Sequence, residues 1–239
     1  MSGADAAAPL CVVAIDGPAG SGKSTVARAV AARLGLEYLD TGAMYRSVAF
    51  AALRRGIDPE EAEPVARLAH KLELDVSEAG VTVDGVDATI EIRGPEVTRA
   101  VSAVAANPQV RAELVRRQRE WAQARGGGVL EGRDIASVVF PDAVVKAYLT
   151  ASDEERALRR SKEVLDLDYD AVAADIARRD HVDSTRTSSP LTLVEGATVV
   201  DTTGLTVEEV VERVLALVPT ANDEARHEPG IGAEEASPT

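Results

Sequence analysis

Residues 10–24 read LCVVAIDGPAGSGKS, and this stretch decides the fold. Its first six residues form one apolar run containing Val and Ile, which is typical of a strand buried on both faces of a parallel sheet. The segment at 23–34, after the glycine-rich turn, is rich in Ala and Val, and Gly35 stands where a helix would end. A strand, a glycine-rich loop and a helix in this order predict the first half of a βαβ unit.

The turn itself, GPAGSGKS at 17–24, matches the phosphate-loop pattern G-x-x-x-x-G-K-[ST]. Glycines let the backbone curl so that successive N–H groups point at one anion, and the positive end of the next helix adds to the attraction. In such loops the lysine bridges the β- and γ-phosphates and the Ser hydroxyl binds Mg²⁺. The plain alternative is a glycine turn with a surface lysine. The predicted ATP-binding residues of this loop are Gly17, Pro18, Ala19, Gly20, Ser21, Gly22, Lys23, Ser24 and Thr25.

The chain as a whole has 239 residues, enough for one α/β domain of ordinary size. No apolar run approaches 18 residues, and residues 1–9 hold no Lys or Arg, so neither a spanning helix nor a signal peptide is expected. Cys11 is the single cysteine and offers neither an internal disulfide nor a thiolate metal cluster. These features predict a cytoplasmic location and no membrane partner.

The charge balance is strongly acidic, with 26 basic and 40 acidic residues and a net charge of −14. Proteins that coat nucleic acid normally show the reverse, because phosphate contacts need Lys and Arg, so no nucleic-acid partner is expected. Of the 26 basic residues, 22 are Arg, whose planar fork suits bidentate recognition of phosphate. A genome of biased composition would produce the same excess.

Periodicity and turn signals extend the βαβ prediction along residues 10–218. They predict a doubly wound α/β fold with a parallel five-stranded core and helices on both faces, a flexible stretch at 1–9 and a disordered acidic tail at 219–239. Thr206 and Glu209 form a capping-box pattern ahead of the last helix. Further predicted elements are helices beginning at Pro64 and Pro95, helices at 108–125, 153–164 and 169–180, a hairpin at 81–90 around Asp84-Gly85, three glycines at 126–128 that end a helix, and strands at 129–130, 144–149 and 199–200.

Three further segments carry the charges and hydroxyls expected of a second binding site. YLDTGAMYR at 38–46 would by itself be only a strand turning into a helix. EGRD at 131–134 follows a predicted strand, so its charges lie at the strand's carboxyl end, where open α/β sheets bind ligands. RRDHVDSTR at 178–186 has charges at helical spacing and would alone indicate a solvated face.

Together these segments closely resemble the bacterial cytidylate kinases, P-loop nucleoside monophosphate kinases that phosphorylate CMP and dCMP from ATP. The resemblance implies a small β-containing, monophosphate-binding insertion at about 64–105 and an Arg-rich lid at about 152–170. The matching stretches, in order over residues 10–218, are IDGPAGSGKST, LDTGAMYR, IRGPEV, PQVRAELVRRQR, EGRDIASVVFPDA, SDEERALRR and RRDHVDSTR.

The resemblance also implies an acceptor site. The family grips the acceptor phosphate with arginines and reads cytosine with a Ser, an Arg and an Asp, which suits a base carrying one amino donor and two acceptors. Thr41 stands where many relatives have Ser, and Tyr45 could equally be a packed helix aromatic. The implied CMP-binding residues are Thr41, Tyr45, Arg46, Ser102, Arg111, Arg133, Asp134, Arg179, Asp183 and Arg186.

For the donor side, the resemblance implies that lid residues Arg156, Arg159 and Arg160 approach the ATP phosphates; a solvated face paired with Glu154 and Glu155 is the alternative. The predicted metal is Mg²⁺ on Ser24 with waters. Asp16 is predicted either to hold a Mg²⁺-bound water or to cap the loop. The predicted catalytic residues are Lys23, Arg133 and Arg186.

The predicted reaction needs no general base, because the attacking CMP phosphate oxygen is already ionised at neutral pH. The three histidines, at 70, 181 and 227, are therefore expected to be structural or exposed. The predicted partners are ATP, CMP and dCMP, with the protein a monomer. Two alternatives stay open: a kinase for another acceptor such as UMP or AMP, and a P-loop switch, although the chain has no N/T-K-x-D motif for guanine.

Overall fold

The computed structural model describes residues 10–163 and 169–219. The stretch predicted to be flexible at 1–9, the tail from 220 onward and the middle of the predicted lid, 164–168, lie outside the described residues.

The described chain alternates strands and helices. The strands are β1 (Cys11–Asp16), β2 (Tyr38–Asp40), β3 (Leu74–Ser77), β4 (Gly80–Val83), β5 (Val86–Asp87), β6 (Gly127–Gly132), β7 (Val145–Thr150) and β8 (Thr198–Asp201). The helices are α1 (Lys23–Leu34), α2 (Thr41–Arg54), α3 (Ala62–Lys71), α4 (Pro95–Ala106), α5 (Pro108–Arg125), α6 (Asp153–Glu163), α7 (Tyr169–Thr185) and α8 (Val207–Leu215). Among the described residues, no helix has both the length and the apolar character needed to cross a membrane.

Five strands form one parallel sheet in the order β2-β6-β1-β7-β8, which confirms the predicted α/β fold. Strand β1 is central, and alternate side chains enter different cores because successive residues of a strand point to opposite faces. Val12 and Ala14 pack on the face covered by α2 and α5, whereas Val13 and Ile15 pack against α1 and α8. This arrangement places the phosphate loop, which follows β1, at the carboxyl edge of the sheet.

A second, antiparallel sheet of order β3-β4-β5 lies between α3 and α4. Its β4–β5 hairpin turns at Asp84 and Gly85, whose φ values of 49° and 74° suit a two-residue turn, so the predicted hairpin is confirmed. The hairpin is shorter than predicted, because β5 ends at Asp87. Strand β3 was not predicted: it is only four residues long and alternates between half-buried and exposed.

Several predicted boundaries were wrong. The first strand begins and ends one residue later than 10–15, and α7 runs to Thr185, five residues past the predicted end. Of the three glycines at 126–128, only Gly126 caps α5 with a left-handed φ of 72°. Gly127 and Gly128 open β6, where a Cβ on Gly127 would lie 2.1 Å from the Cys11 carbonyl oxygen. Close strand pairing, not helix termination, accounts for Gly127.

We expect Gly127→Ala to lower the free energy of unfolding by about 3 kcal/mol or more, because a backbone oxygen of the central strand would have to move. Gly126→Ala is the matched control: its Cβ would meet nothing within 4 Å, so only the left-handed backbone costs energy, about 1 kcal/mol. Urea unfolding of both variants measures the difference. Equal losses of unfolding free energy in the two variants would show that the close pairing of β1 and β6 does not require a glycine at position 127.

Candidate active site

The phosphate loop links β1 to α1, and two of its glycines are required by close packing. A Cβ on Gly17 would lie 2.0 Å from the Leu149 carbonyl oxygen, and one on Gly20 would lie 2.8 Å from that of Arg156. Both residues also have positive φ values, 150° and 75°. The loop is thus wrapped tightly by β7 and α6, and Gly22, also left-handed, leads directly into α1.

Lys23 begins α1 and is buried, with 7% of its surface exposed. Its Nζ atom donates to the Pro18 carbonyl at 2.6 Å and lies 3.4 Å from the Ser21 hydroxyl. Burial, and then the charge of nearby Arg133, hold the pKa of Lys23 well below its ordinary value of 10.5. A phosphate beside Nζ would favour the ammonium form, so the site is electrostatically suited to an anion.

One continuous cavity of about 1270 Å³ opens at the carboxyl edge of the sheet. Loop residues 19–25 form one end of it, whereas Gly17 and Pro18 do not line it. Arg159 and Arg160 line its donor side. The structure also brings all ten residues of the predicted acceptor site to this cavity: Thr41, Tyr45, Arg46, Ser102, Arg111, Arg133, Asp134, Arg179, Asp183 and Arg186.

A buried ion pair also lines the cavity. Arg111 of α5 donates to Asp134, which follows β6, and both side chains are almost fully buried. Arg111 also donates to the Ala105 carbonyl at 3.2 Å, and its guanidinium lies 5.4 Å from the centre of the Tyr45 ring. Tyr45 is therefore both a packed aromatic and a cavity residue. The pair presents a carboxylate and a guanidinium side by side, a set able to read a base edge.

Four arginines surround the middle of the cavity: Arg46, Arg133, Arg179 and Arg186. Burial and neighbouring arginines lower the pKa of Arg46 to about 9 and that of Arg179 to about 10. Such mutual repulsion is costly unless a dianion lies between the side chains. Buried atom Nη2 of Arg186 has no hydrogen-bond partner within the described ranges, which also favours an anionic ligand.

Asp183 is the counter-ion within this arginine group. It accepts from Arg133 Nε at 2.8 Å and lies 3.7 Å from Arg186 Nη1. These two arginines, with burial opposing them, keep the pKa of Asp183 below its ordinary value. Asp183 therefore holds two predicted catalytic arginines in place as an ionised carboxylate.

Thr41 begins α2, and its hydroxyl donates to the Glu131 carbonyl at 2.6 Å. The hydroxyl proton is thus already engaged, and Thr41 could donate to a phosphate oxygen only by breaking this bond. Thr41 lines the cavity as predicted, but its hydroxyl proton points to the Glu131 carbonyl.

Glu131, the first residue of the EGRD segment, is a site residue for which no individual role was predicted. It lies at the end of β6, with 4% of its surface exposed, and accepts a hydrogen bond from the Tyr38 hydroxyl. Burial, and then the charge of Asp40, raise its pKa. A charged residue within an otherwise apolar buried strand is the signal that could have identified it.

Asp16 does not cap the phosphate loop, so that alternative was wrong. Its two carboxylate oxygens accept from the Ile135 and Ala136 amides at 2.9 and 2.8 Å, and so hold the turn that carries Arg133 and Asp134. Burial raises the pKa of Asp16 to about 6. Its link to a Mg²⁺-bound water stays a prediction.

Among the predicted lid arginines, Arg156 does not line the cavity. It is buried, and it donates to the Ala19 carbonyl of the phosphate loop at 3.0 Å. Its approach to the ATP phosphates stays a prediction. Arg159 lines the cavity and donates to the hydroxyl and the carbonyl of the buried Thr202 at 2.7 and 2.8 Å, a contact that no sequence pattern predicts. It also pairs with Glu155, as the solvated-face alternative expected.

Comparison with known proteins agrees with this geometry. A family model described as cytidylate kinase matches residues 13–220. A protein named cytidylate kinase from Mycolicibacterium paratuberculosis is 50% identical, covering 90% of this chain and 98% of its own length. One from Desulfitobacterium hafniense is 48% identical, covering 86% and 91%. A crystal structure of an uncharacterized protein from Eubacterium ventriosum shares the fold with a TM-score of 0.52 and 11% identity, over 87% of this chain and 98% of its own.

Proposed function

The chain belongs to the cytidylate kinase family, and from this premise we propose that it transfers the γ-phosphate of ATP to CMP or dCMP, giving ADP and CDP or dCDP. One observation carries the proposal: a single cavity is lined by the phosphate loop, by a buried Arg–Asp pair and by a group of arginines. The arginines suit the phosphates of two nucleotides, the triphosphate of ATP and the single phosphate of CMP.

The catalytic work is positioning and charge neutralisation. The loop amides and Lys23 hold the donor phosphates, while Arg133 and Arg186 hold the acceptor phosphate and neutralise the charge that develops on the transferring group. The attacking phosphate oxygen is ionised at neutral pH and needs no base. Closure of the insertion at about 64–105 and of the lid at about 152–170 would exclude water, which otherwise competes as acceptor.

The residues around the loop fit a Mg²⁺ ion delivered with ATP. The Ser24 hydroxyl and the buried Glu131 carboxylate both line the cavity, and both supply the hard oxygen donors that Mg²⁺ prefers. In the described ranges, no three His, Cys, Asp or Glu side chains form a group suited to a metal. Phosphate oxygens of ATP would therefore supply some of the ligands of the ion. When bound, Mg²⁺ supplies positive charge to the β- and γ-phosphates.

Base selection follows from the polarity of the Arg111–Asp134 pair. The amino group of cytosine donates to Asp134, while its ring nitrogen and carbonyl accept from Arg111 and Ser102. Uracil would instead turn a carbonyl oxygen toward the carboxylate, at a cost on the order of 1–3 kcal/mol. We therefore expect CMP and dCMP to be preferred over UMP. We also propose that the protein is a cytoplasmic monomer whose partners are small molecules.

We expect ADP release from Mg·ATP to depend on added CMP and to stop when EDTA removes the divalent cation. Re-addition of Mg²⁺ should restore it. A P-loop switch would instead hydrolyse ATP at the same slow rate with or without the monophosphate, and that result would contradict the proposal.

A further inference from the structure

Two charged side chains from different helices hold the backbone of Ala19 in the phosphate loop. Asp180 of α7 accepts from the Ala19 amide at 3.1 Å, and Arg156 of α6 donates to the Ala19 carbonyl at 3.0 Å. Arg156 and Asp180 are also ion-paired with each other. We refer to Ala19, Arg156 and Asp180 as the loop clip.

Packing around the loop clip is tight. The methyl group of Ala19 belongs to a small apolar cluster with Ala157 of α6 and with Val172 and Ile176 of α7. The neighbouring Gly20 is held so close to the Arg156 backbone that a Cβ would be only 2.8 Å from its carbonyl oxygen. The path of the loop is therefore fixed by α6 and α7 as well as by its own glycines.

Helix α7 also builds the acceptor end of the cavity. Arg179 and Asp183, on either side of Asp180 in sequence, both line it. A small movement of α7 when an acceptor binds would be carried to the Ala19 backbone through Asp180. Because the Arg156 side chain is 8% exposed and the Asp180 side chain 20%, the charged hydrogen bonds of the loop clip are partly shielded from water and are stronger than fully exposed ones.

We propose that Asp180 and Arg156 are positioning residues that hold the phosphate loop in its ATP-binding conformation and link it to the acceptor-binding helix. As a consequence, ATP and CMP each strengthen the other's binding, by the same factor in both directions. The link to CMP rests on the proposed function, whereas the effect on the loop does not.

The first experiment measures binding of a non-hydrolysable ATP analogue with Mg²⁺ by calorimetry. Asp180→Ala removes both the acceptor for the Ala19 amide and the ion pair, and is expected to weaken binding about tenfold. Asp153→Ala is the matched control, because Asp153 pairs with the same arginine from an exposed position and does not contact the loop; it should stay within about twofold. Unchanged affinity in Asp180→Ala would overturn the proposal.

The second experiment measures the dissociation constant of CMP with and without the saturating analogue. In the wild type and in Asp153→Ala, we expect the dissociation constant of CMP to be about threefold or more higher without the analogue than with it. In Asp180→Ala, we expect the ratio of these two constants to be near one. A role in stability alone would lower the unfolding midpoint but leave this ratio unchanged. A wild-type ratio of one, or a retained ratio in Asp180→Ala, would contradict the link.

If Asp180→Ala does not fold, Asp180→Asn replaces it in both experiments, because it keeps the shape and one acceptor oxygen but loses the charge; its expected effects are smaller and in the same direction. If the wild type binds the analogue but no CMP, the proposed acceptor is wrong, and the first experiment still decides the effect on the loop.

Discussion

Lys23→Met is expected to lower kcat for phosphoryl transfer on the order of 10³-fold while the protein stays folded. The Lys23 ammonium is the lysine charge of the phosphate loop, where it donates to the Pro18 carbonyl. Because burial already disfavours that charge, replacing it with an apolar side chain of similar length should not lower the free energy of unfolding. The loss should therefore be confined to catalysis.

Lys71→Met is the control for this prediction, since Lys71 is exposed on α3 and away from the cavity. Initial-rate kinetics at saturating ATP and CMP, with urea unfolding of both variants, separate catalysis from stability. A Lys23→Met protein within about tenfold of the wild-type kcat would show that the lysine is not central to charge neutralisation.

Asp134→Asn is expected to lower kcat/KM for CMP about 100-fold and to reduce the preference for CMP over UMP. An amide can turn either its oxygen toward the cytosine amino group or its NH₂ toward the uracil carbonyl, so the discrimination weakens. The change also leaves the Arg111 guanidinium buried without its counter-ion, which should cost about 3 kcal/mol or more of unfolding free energy. Assays therefore need a temperature at which the variant is folded.

Asp142→Asn provides the control, because Asp142 is exposed in the same connection between β6 and β7. The KM for ATP should change little in Asp134→Asn, since Asp134 is outside the phosphate loop and is proposed to contact the base of the acceptor. An unchanged CMP-to-UMP ratio together with a raised KM for ATP would mean that Asp134 supports the fold and does not read the base.

The phosphate loop could be predicted from the chain alone, since its glycines, lysine and flanking strand and helix are contiguous in sequence. The acceptor site could not, because its residues come from α2, α4, α5, the turn after β6 and α7 and meet only through the sheet topology. Resemblance to a family supplied those positions, and all of them line the cavity.

The side-chain contacts of Arg156 could not be predicted from the sequence. At spacings of three and four, Arg156, Arg159 and Arg160 occupy neighbouring positions on one helix, and sequence does not tell which of them faces the loop backbone. The deciding partner, Asp180, lies 24 residues away on the next helix. The ion pair between the two helices fixes the direction of the Arg156 side chain, and no local sequence pattern predicts that pair.

The assignment of the cavity is tested by turnover of four acceptors at equal concentration, CMP, dCMP, UMP and AMP, followed by ADP release from Mg·ATP. We expect rapid turnover of CMP and dCMP, with UMP and AMP slower by roughly tenfold or more, because UMP and AMP would turn the wrong group toward Asp134. Equal use of UMP would contradict the base readout. Absence of ADP release with any of the four would contradict the assignment of the cavity to phosphoryl transfer between nucleotides.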